Sequence, residues 1–530
     1  MKKKHRIVFT APLLVCATLF GCAGESDSGQ TQVSSATEEQ TDAETTTETA
    51  EETTPAVELP ERPQRPTEDV TPMVYEAEDA IFTGSAFAKE ASGCSGTGYA
   101  DGLFKAGEDM ITFQVDIPYG YYYDLTFLAS SGGAEKYNYI LIDGQEIGTL
   151  KTDTADFEEC TMNQIYLDAG THDISIEAYW GYVKFDSLTV SLGEDLDLSI
   201  YEVSADLINP DADTTTKGLM KYLTDVYGKQ FLTGQYGDEG FFSNEVQAIS
   251  NVTGKLPAVL GLDMIEYSPS RVENGSSSSS VERAIDWWDR GGIVTMCWHW
   301  NAPSKYITGD WYSGFRAEAT NIDLAKIMNG EDEEGYELLM EDIDAIAVQL
   351  QRLQEAGVPI LWRPLHEASG GWFWWGASGA EAYKQLWVLL YDKLTNEYGL
   401  NNLIWLWNGQ DADWYPGDEY VDIIGEDIYP GNQVATSQVT KYLEAVNYTS
   451  AKKMVVLSEN GCVFDPDLAY RDGAMWGFYC TWGGEFVLKT STLNRYSENY
   501  TTEEVLKKMY DSPLSITLDE LPDLKNYPLD

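Results

Sequence analysis

Short apolar runs and amphipathic stretches alternate through residues 205–530. The apolar runs span 231–236, 258–263, 293–300, 360–366, 403–407, 421–427, 454–458 and 476–482. Each is short enough for a buried strand. Apolar residues recur every three or four positions in 281–288, 338–356, 380–398 and 503–510, which predicts helices. Eight strands alternating with helices over this length predict an (α/β)8 TIM barrel. Residues 73–194 read differently. Apolar and polar positions alternate through much of 110–117, 137–142 and 172–178, and Asp143-Gly144 marks a tight turn. That spacing predicts an all-β sandwich, so the chain is multidomain.

The first 72 residues show neither pattern. Lys2, Lys3, Lys4, His5 and Arg6 precede an apolar run that reaches Phe20, the layout of a secretion signal over 1–21. Leu19-Phe20-Gly21-Cys22 resembles a bacterial lipobox, with Phe20 bulkier than the usual residue there. That resemblance implies lipidation of Cys22 and a lipid anchor at the extracellular face of a bacterial cell membrane. From 22 to 72, Thr, Glu, Ser and Pro dominate and large apolar residues nearly vanish. Such a segment buries too little surface to fold and predicts a disordered, self-repelling tether. No later apolar run is long enough to span a bilayer.

A formal charge of −53 argues against nucleic acid and anionic surfaces as partners and leaves a neutral polymer. Beyond Cys22 the cysteines are Cys94, Cys160, Cys297, Cys462 and Cys480, without zinc-ligand spacing. A pair such as Cys94 with Cys160 can oxidise outside the cytoplasm, but the odd count leaves at least one thiol free. Spacing fixes no pairing.

Polar groups gather where the predicted barrel strands end. They are Trp298-His299-Trp300, His366-Glu367, Asp427-Ile428-Tyr429, Ser458-Glu459-Asn460 and Trp482-Gly483-Gly484-Glu485. In a barrel these ends converge on one face. Glu367 is followed by a Gly-rich turn and by Trp372, Phe373, Trp374 and Trp375, whose flat faces suit sugar rings. Two carboxylates across a pocket suit glycoside hydrolysis: one protonates the leaving oxygen, and the other attacks the anomeric carbon or activates water. The acid needs a raised pKa, which burial or a neighbouring carboxylate supplies. Taken singly, each Glu reads equally as a strand-end salt-bridge partner. Together, with Trp and His neighbours, they favour the catalytic reading.

Arg363-Pro-Leu-His-Glu-Ala-Ser-Gly-Gly-Trp-Phe-Trp-Trp-Gly376 and Leu457-Ser-Glu-Asn-Gly461 resemble the two signatures of glycoside hydrolase family 26. Trp298-His-Trp300, residues 415–425, Thr481-Trp-Gly-Gly484 and Asp511-Ser-Pro513 extend the resemblance. It implies a retaining endo-acting hydrolase, most members being β-1,4-mannanases, with Glu367 as acid/base and Glu459 as nucleophile. It also implies that His299, His366, Trp372, Trp482 and Trp311 contact sugar, and that Tyr429 hydrogen-bonds the nucleophile. Catalysis then needs no cofactor.

Tyr75-Glu-Ala-Glu78, Tyr179-Trp-Gly-Tyr182 and Val183-Lys-Phe-Asp-Ser-Leu-Thr-Val190 resemble carbohydrate-binding module family 35. That implies a jelly-roll sandwich in which Glu76, Glu78 and Asp186 hold a structural calcium, whose preference for hard oxygen ligands they meet. Trp180 then stacks on sugar, although a core aromatic would look the same. The expected protein is a monomeric, membrane-anchored endo-β-1,4-mannanase acting on mannan, glucomannan or galactomannan. The alternatives are a mixed-linkage β-glucanase or β-1,3-xylanase of the same family, and a non-catalytic glycan-capture lipoprotein. Intact Glu367 and Glu459 argue against the last.

Overall fold

The computed structural model describes residues 59–490 and 493–529. The sandwich contains β1 (Met73–Glu76), β2 (Ile81–Thr83), β3 (Phe87–Glu90), β4 (Gly98–Asp101), β5 (Met110–Ile117), β6 (Tyr121–Ser130), β7 (Lys136–Ile142), β8 (Gln145–Thr152), β9 (Glu158–Leu167), β10 (Gly170–Trp180) and β11 (Lys184–Leu192). One antiparallel sheet runs β3-β4-β11-β6-β9, with β1 on β11; the other runs β2-β5-β10-β7-β8. The alternating residues of β5 and β10 send Ile111, Phe113, Val115, Ile174 and Ile176 into the space between the sheets. Pairing of β1 with β11 sets Glu76 opposite Ser187 and so brings the module's first and last acidic residues together.

The barrel follows. β12 (Phe231–Leu232) precedes the eight parallel strands β13 (Gly234–Tyr236), β14 (Val259–Asp263), β15 (Ile293–Trp298), β16 (Ile360–Pro364), β17 (Leu403–Trp407), β18 (Ile423–Ile428), β19 (Met454–Asn460) and β20 (Tyr479–Thr481), which close on themselves in sequence order. The helices are α1 (Thr214–Val226), α2 (Asn244–Thr253), α3 (Pro269–Glu273), α4 (Ser280–Asp289), α5 (Leu324–Met328), α6 (Glu333–Glu355), α7 (Ala380–Tyr391), α8 (Val439–Val446), α9 (Pro466–Asp472) and α10 (Glu503–Asp511). Helices cover the outside and side chains fill the inside, so the strands are buried on both faces and read as continuous apolar runs. Caps set the helix starts: Asp213 accepts from Thr216 N at 2.7 Å for α1, and Thr502 from Val505 N at 3.2 Å for α10.

Two of the expected strands put only three residues each into the barrel. Of 231–236, only β13 enters the barrel, while β12 pairs with Ser515–Ile516. Of 476–482, only β20 does. The two close the barrel at a tight approach, where a Cβ on Gly234 would lie 2.2 Å from the Tyr479 carbonyl oxygen. Among the described residues no helix is long and apolar enough to cross a membrane.

Sandwich and barrel pack against each other. Thr436 and Thr440 donate to the carbonyls of Glu146 and Ile147 at 2.9 and 3.2 Å, and Gln164 donates to Asp472 O at 2.7 Å. The expected tether also ends earlier than residue 72. From Leu59 onward the chain lies on this junction. Arg62 donates to Tyr470 O of the barrel at 3.2 Å and stacks 4.2 Å over the Tyr470 ring. Arg65 donates to Gly193 O of the sandwich at 2.8 Å. Arg62 and Arg65 are the first cations after Arg6, and Pro60, Pro63 and Pro66 preset an extended backbone between them. The rest of the expected tether, and Cys22, lie outside the described residues.

Candidate active site

The backbone turns sharply after β16. Leu365 and Glu367 adopt φ of 51° and 53°, a left-handed conformation that costs a non-glycine residue about 1 kcal/mol or more. Neighbouring groups hold the turn. Glu367 N donates to Asn408 O at 2.7 Å, and Trp375 Nε1 donates to His366 O at 2.8 Å. The turn brings Glu367, half-buried, to Trp372 Nε1 at 2.8 Å. On the facing side a register shift between β18 and β19 pairs Asp427 with Glu459 and skips Ser458. Bulges of this kind re-aim a side chain.

Arg363 organises the floor. It is fully buried within an otherwise apolar strand. One Nη donates to Asp427 at 2.6 Å and Asn408 at 3.1 Å. The other donates to Glu459 and, at 3.0 Å, to the Tyr236 hydroxyl. Tyr429 donates its hydroxyl to the second oxygen of Glu459. Both Glu459 oxygens are therefore held by hydrogen-bond donors, which fixes the orientation of the carboxylate. Glu367, Asp427 and Glu459 each bring an oxygen within 4.8 Å of the others. One guanidinium cannot balance three negative charges so close together, and a proton is retained. Burial, then the charge of Glu459, pushes Glu367 up to about 7, against the opposing Trp372 hydrogen bond and the charge of Arg363. Glu367 is therefore placed as a proton-donating acid facing Glu459.

The aromatic cluster divides unequally. Trp372 is 48% exposed, whereas Phe373, Trp374 and Trp375 are buried. Trp374 Nε1 is bound to Trp300 O at 2.7 Å, so these rings form the wall behind the site instead of the expected sugar platform. Half-buried Trp482 packs on Tyr236 and His299, with centroids 4.7 and 5.8 Å apart, and closes the opposite side. Tyr429 and Trp311 are about 40% exposed. Trp311 follows β15 on a loop whose later residue Ala317 donates to Trp372 O at 2.8 Å. His299 and His366 are only 3% and 1% exposed. His366 Nε2 lies 3.1 Å from His299 Nε2.

The three grouped carboxylates do not make a metal site, because Arg363 already supplies the cation there. Asp263, Cys297 and His299 also bring ligand-type atoms together, but the Asp263–His299 contact is an ordinary 2.7 Å hydrogen bond. In the sandwich, Glu76, Glu78 and Asp186 surround the segment 95–98. Ser95 Oγ serves both Glu76 and Asp186, at 2.7 and 3.2 Å, and Ser95 N donates to Asp186 at 3.0 Å. One oxygen of Glu78 accepts from the N–H groups of Thr97 and Gly98. Despite burial, these donors hold the Glu78 carboxyl below its usual range. The other oxygen is buried without a hydrogen-bond partner, as an unfilled cation ligand would be. Trp180 is 56% exposed at the end of β10, stacked on Tyr137 with centroids 6.1 Å apart. It is a surface aromatic and not a core one. All five cysteines from Cys94 onward are free thiols.

Sequence reasoning singled out both glutamates and Tyr429 but missed Arg363, Asp427, Tyr236 and Asp263 as site components. An arginine inside the run 360–366 was the available signal, since a buried charge demands partners.

Residues 208–520 match glycosyl hydrolase family 26, and residues 73–193 match carbohydrate binding module family 35. The mannan endo-1,4-beta-mannosidase of Thermothelomyces thermophilus is 39% identical over 451 residues, covering 84% of this chain and 90% of the relative. Mannan endo-1,4-beta-mannosidase B of a Piromyces species is 36% identical over 460 residues, covering 85% of this chain and 77% of the relative. The crystal structure of a Podospora anserina GH26-CBM35 beta-(1,4)-mannanase superposes with a TM-score of 0.61 at 38% identity, covering 86% of this chain and 99% of that one. A ruminal GH26 endo-beta-1,4-mannanase gives 0.62 at 30% identity, covering 86% and 99%. Fold, matched segments and identity agree: the chain belongs to glycosyl hydrolase family 26 and carries a family 35 carbohydrate-binding module ahead of its barrel.

Proposed function

We propose that this chain is an endo-acting β-1,4-mannanase that hydrolyses mannan-type polysaccharides with retention of configuration. The observation that carries the mechanism is the approach of Glu367 and Glu459 to within 4.8 Å, oxygen to oxygen. Retaining glycosidases hold their carboxyl groups about 5–5.5 Å apart, whereas inverting ones leave about 6.5–9.5 Å for a water. Glu459, steadied by Arg363 and Tyr429, attacks the anomeric carbon while Glu367 protonates the leaving oxygen. Glu367, now ionised, then draws the proton from the water that releases the sugar. The substrate follows the mannanases to which the chain is similar. The catalytic groups all come from one chain, so this reading requires no partner subunit. Incubation with mannan, galactomannan and mixed-linkage β-glucan is expected to yield mixed manno-oligosaccharides, with the β-anomer formed first by NMR. Hydrolysis of the β-glucan alone would assign the chain to the alternative activity, and no hydrolysis would leave glycan capture.

The module is read as a glycan binder with Trp180 on its contact surface and a structural calcium at Glu76, Glu78 and Asp186. The unpartnered oxygen of Glu78 supports the metal. A calcium ion bound only to the folded state stabilises it by mass action. Chelation is therefore expected to lower the melting temperature of protein first shown to contain calcium, and added calcium to restore it. An unchanged melt would remove the metal.

Secretion rests on the basic start and apolar run of residues 1–21, and anchoring at Cys22 on the lipobox. Cys22→Ala is expected to shift the enzyme from the membrane fraction to the medium or leave it as an uncleaved precursor. Unaltered fractionation and mature mass would count against the anchor.

A further inference from the structure

Asp263 ends β14, two strands away from β16, and does not touch Glu367. Its carboxylate is fully committed. Oδ1 accepts from the backbone N–H groups of Ile265 at 2.9 Å and His299 at 3.1 Å. Oδ2 lies 2.7 Å from His299 Nδ1. His299 Nε2 in turn lies 3.1 Å from Nε2 of His366, the residue before Glu367. The remaining nitrogen, His366 Nδ1, is buried with no hydrogen-bond partner.

These contacts permit one arrangement of protons. A carboxylate oxygen 2.7 Å from an imidazole nitrogen needs a proton between them, so His299 carries hydrogen on Nδ1. The thiol of Cys297, 3.9 Å from that nitrogen, is too distant to compete. Hydrogen on His366 Nδ1 would be a buried donor with nothing to receive it, a costly state. His366 therefore carries its hydrogen on Nε2 and donates to His299 Nε2, which must present its lone pair. Burial, then the charge of Arg363, holds His366 well below its ordinary pKa and keeps it neutral.

We propose that Asp263 is a positioning residue for the acid/base: by ordering the protons of the His299–His366 pair it holds the strained turn that presents Glu367. The turn has two positive-φ residues, Leu365 and Glu367, on either side of His366. Besides the Glu367–Asn408 backbone bond, both ends of His366 tie this turn down, the carbonyl through Trp375 and the ring through His299 to Asp263. This deepens the reading of Glu367 as the proton donor and rests on it.

Asp263→Asn is nearly isosteric and makes a specific demand. The amide oxygen stays with the two backbone N–H donors, so the NH2 group replaces Oδ2 and donates to His299 Nδ1. Hydrogen on His299 must then move to Nε2, where it meets the Nε2 hydrogen of His366. His366 is forced to its orphan nitrogen or out of place.

The chain has only four histidines, so imidazole nitrogen–carbon NMR correlations of 15N-histidine-labelled protein are readily resolved. The wild type is expected to show His299 as the Nδ1–H tautomer and His366 as the Nε2–H tautomer, and the variant to show both reversed. A doubly protonated or Nε2–H His299 in the wild type would overturn the proposal, whatever the variant does and whatever the substrate proves to be. In activity, Asp263→Asn is expected to lower kcat on mannan by about 10–100-fold with KM little changed, the scale of a misplaced catalytic group. Glycosylation by a dinitrophenyl mannobioside, whose leaving group needs no proton, is expected to fall less than about threefold. Wild-type tautomers in a folded variant, or equal losses on both substrates, would reduce Asp263 to a structural residue.

Discussion

Glu459→Ala is expected to lose mannan hydrolysis by about 10⁴-fold or more, the scale of removing one member of a catalytic unit. Without the nucleophile, the first step fails for every substrate. Glu367→Ala is expected to lose about 10²–10⁴-fold on mannan, where the leaving oxygen needs a proton. On a dinitrophenyl mannobioside it should still react in a burst and then stall, because water lacks its base. Azide needs no base and should rescue this variant, giving the β-glycosyl azide. In Glu459→Ala azide fills the vacated space and gives the α-azide. The opposite pairing of anomers and variants would exchange the two roles. Undiminished activity in either would remove that residue from the chemistry. The wild-type pH profile follows from the same group. Glu367 donates only while protonated, and its pKa is pushed up to about 7. As pH rises through 7 the donor is lost, so kcat/KM on mannan should fall along its alkaline limb. That limb should be absent for first-step rates of the dinitrophenyl substrate.

Arg363→Met carries the second large effect. The methionine fills much of the space, but Asp427 and Glu459 lose their shared cation in the barrel interior. Breaking a buried ion pair from one side costs about 3–5 kcal/mol. The cost depends on pH in a definite direction. Burial already raises the Asp427 carboxyl against the opposing charge of Arg363; without that charge it rises further, so the folded state binds its proton more tightly and the variant loses stability as pH rises. The melting-temperature gap to wild type should widen from pH 5 to pH 8, and a constant gap would contradict the charge argument. Activity should drop by about 10²–10³-fold even where the variant is folded, because Glu459 loses one of the two donors that hold it in place.

The barrel was legible because its strands are buried on both faces, leaving unbroken apolar runs bounded by turns. Glu367 and Glu459 were legible because each ends such a run. What surrounds them was not. Trp372, Phe373, Trp374 and Trp375 are adjacent in the chain, yet only the first meets solvent, and a run of aromatics in a loop has no period from which to read a face. His366 and Glu367 are likewise neighbours that point to different places, because two residues at positive φ make the backbone turn between them. Asp263 stood visibly at a strand end, but its partner His299 comes from the next strand, and cross-strand pairing is set by barrel register. Residues 231–236 and 476–482 promised full strands. Close approach at Gly234 and the pairing of Phe231–Leu232 with Ser515–Ile516 shortened both.

The arginine pair at the start of the described chain has a mechanical consequence. Arg62 grips the barrel and Arg65, three positions on, grips the sandwich. Tension applied to the chain ahead of Leu59 therefore reaches Tyr470 first and the Gly193 carbonyl next, before β1 is pulled. A pull on that segment would load the seam between the two bodies before the first strand is peeled from its sheet. Placing the two cations astride the seam thus sets two contacts ahead of β1 for any pull from the N-terminal side.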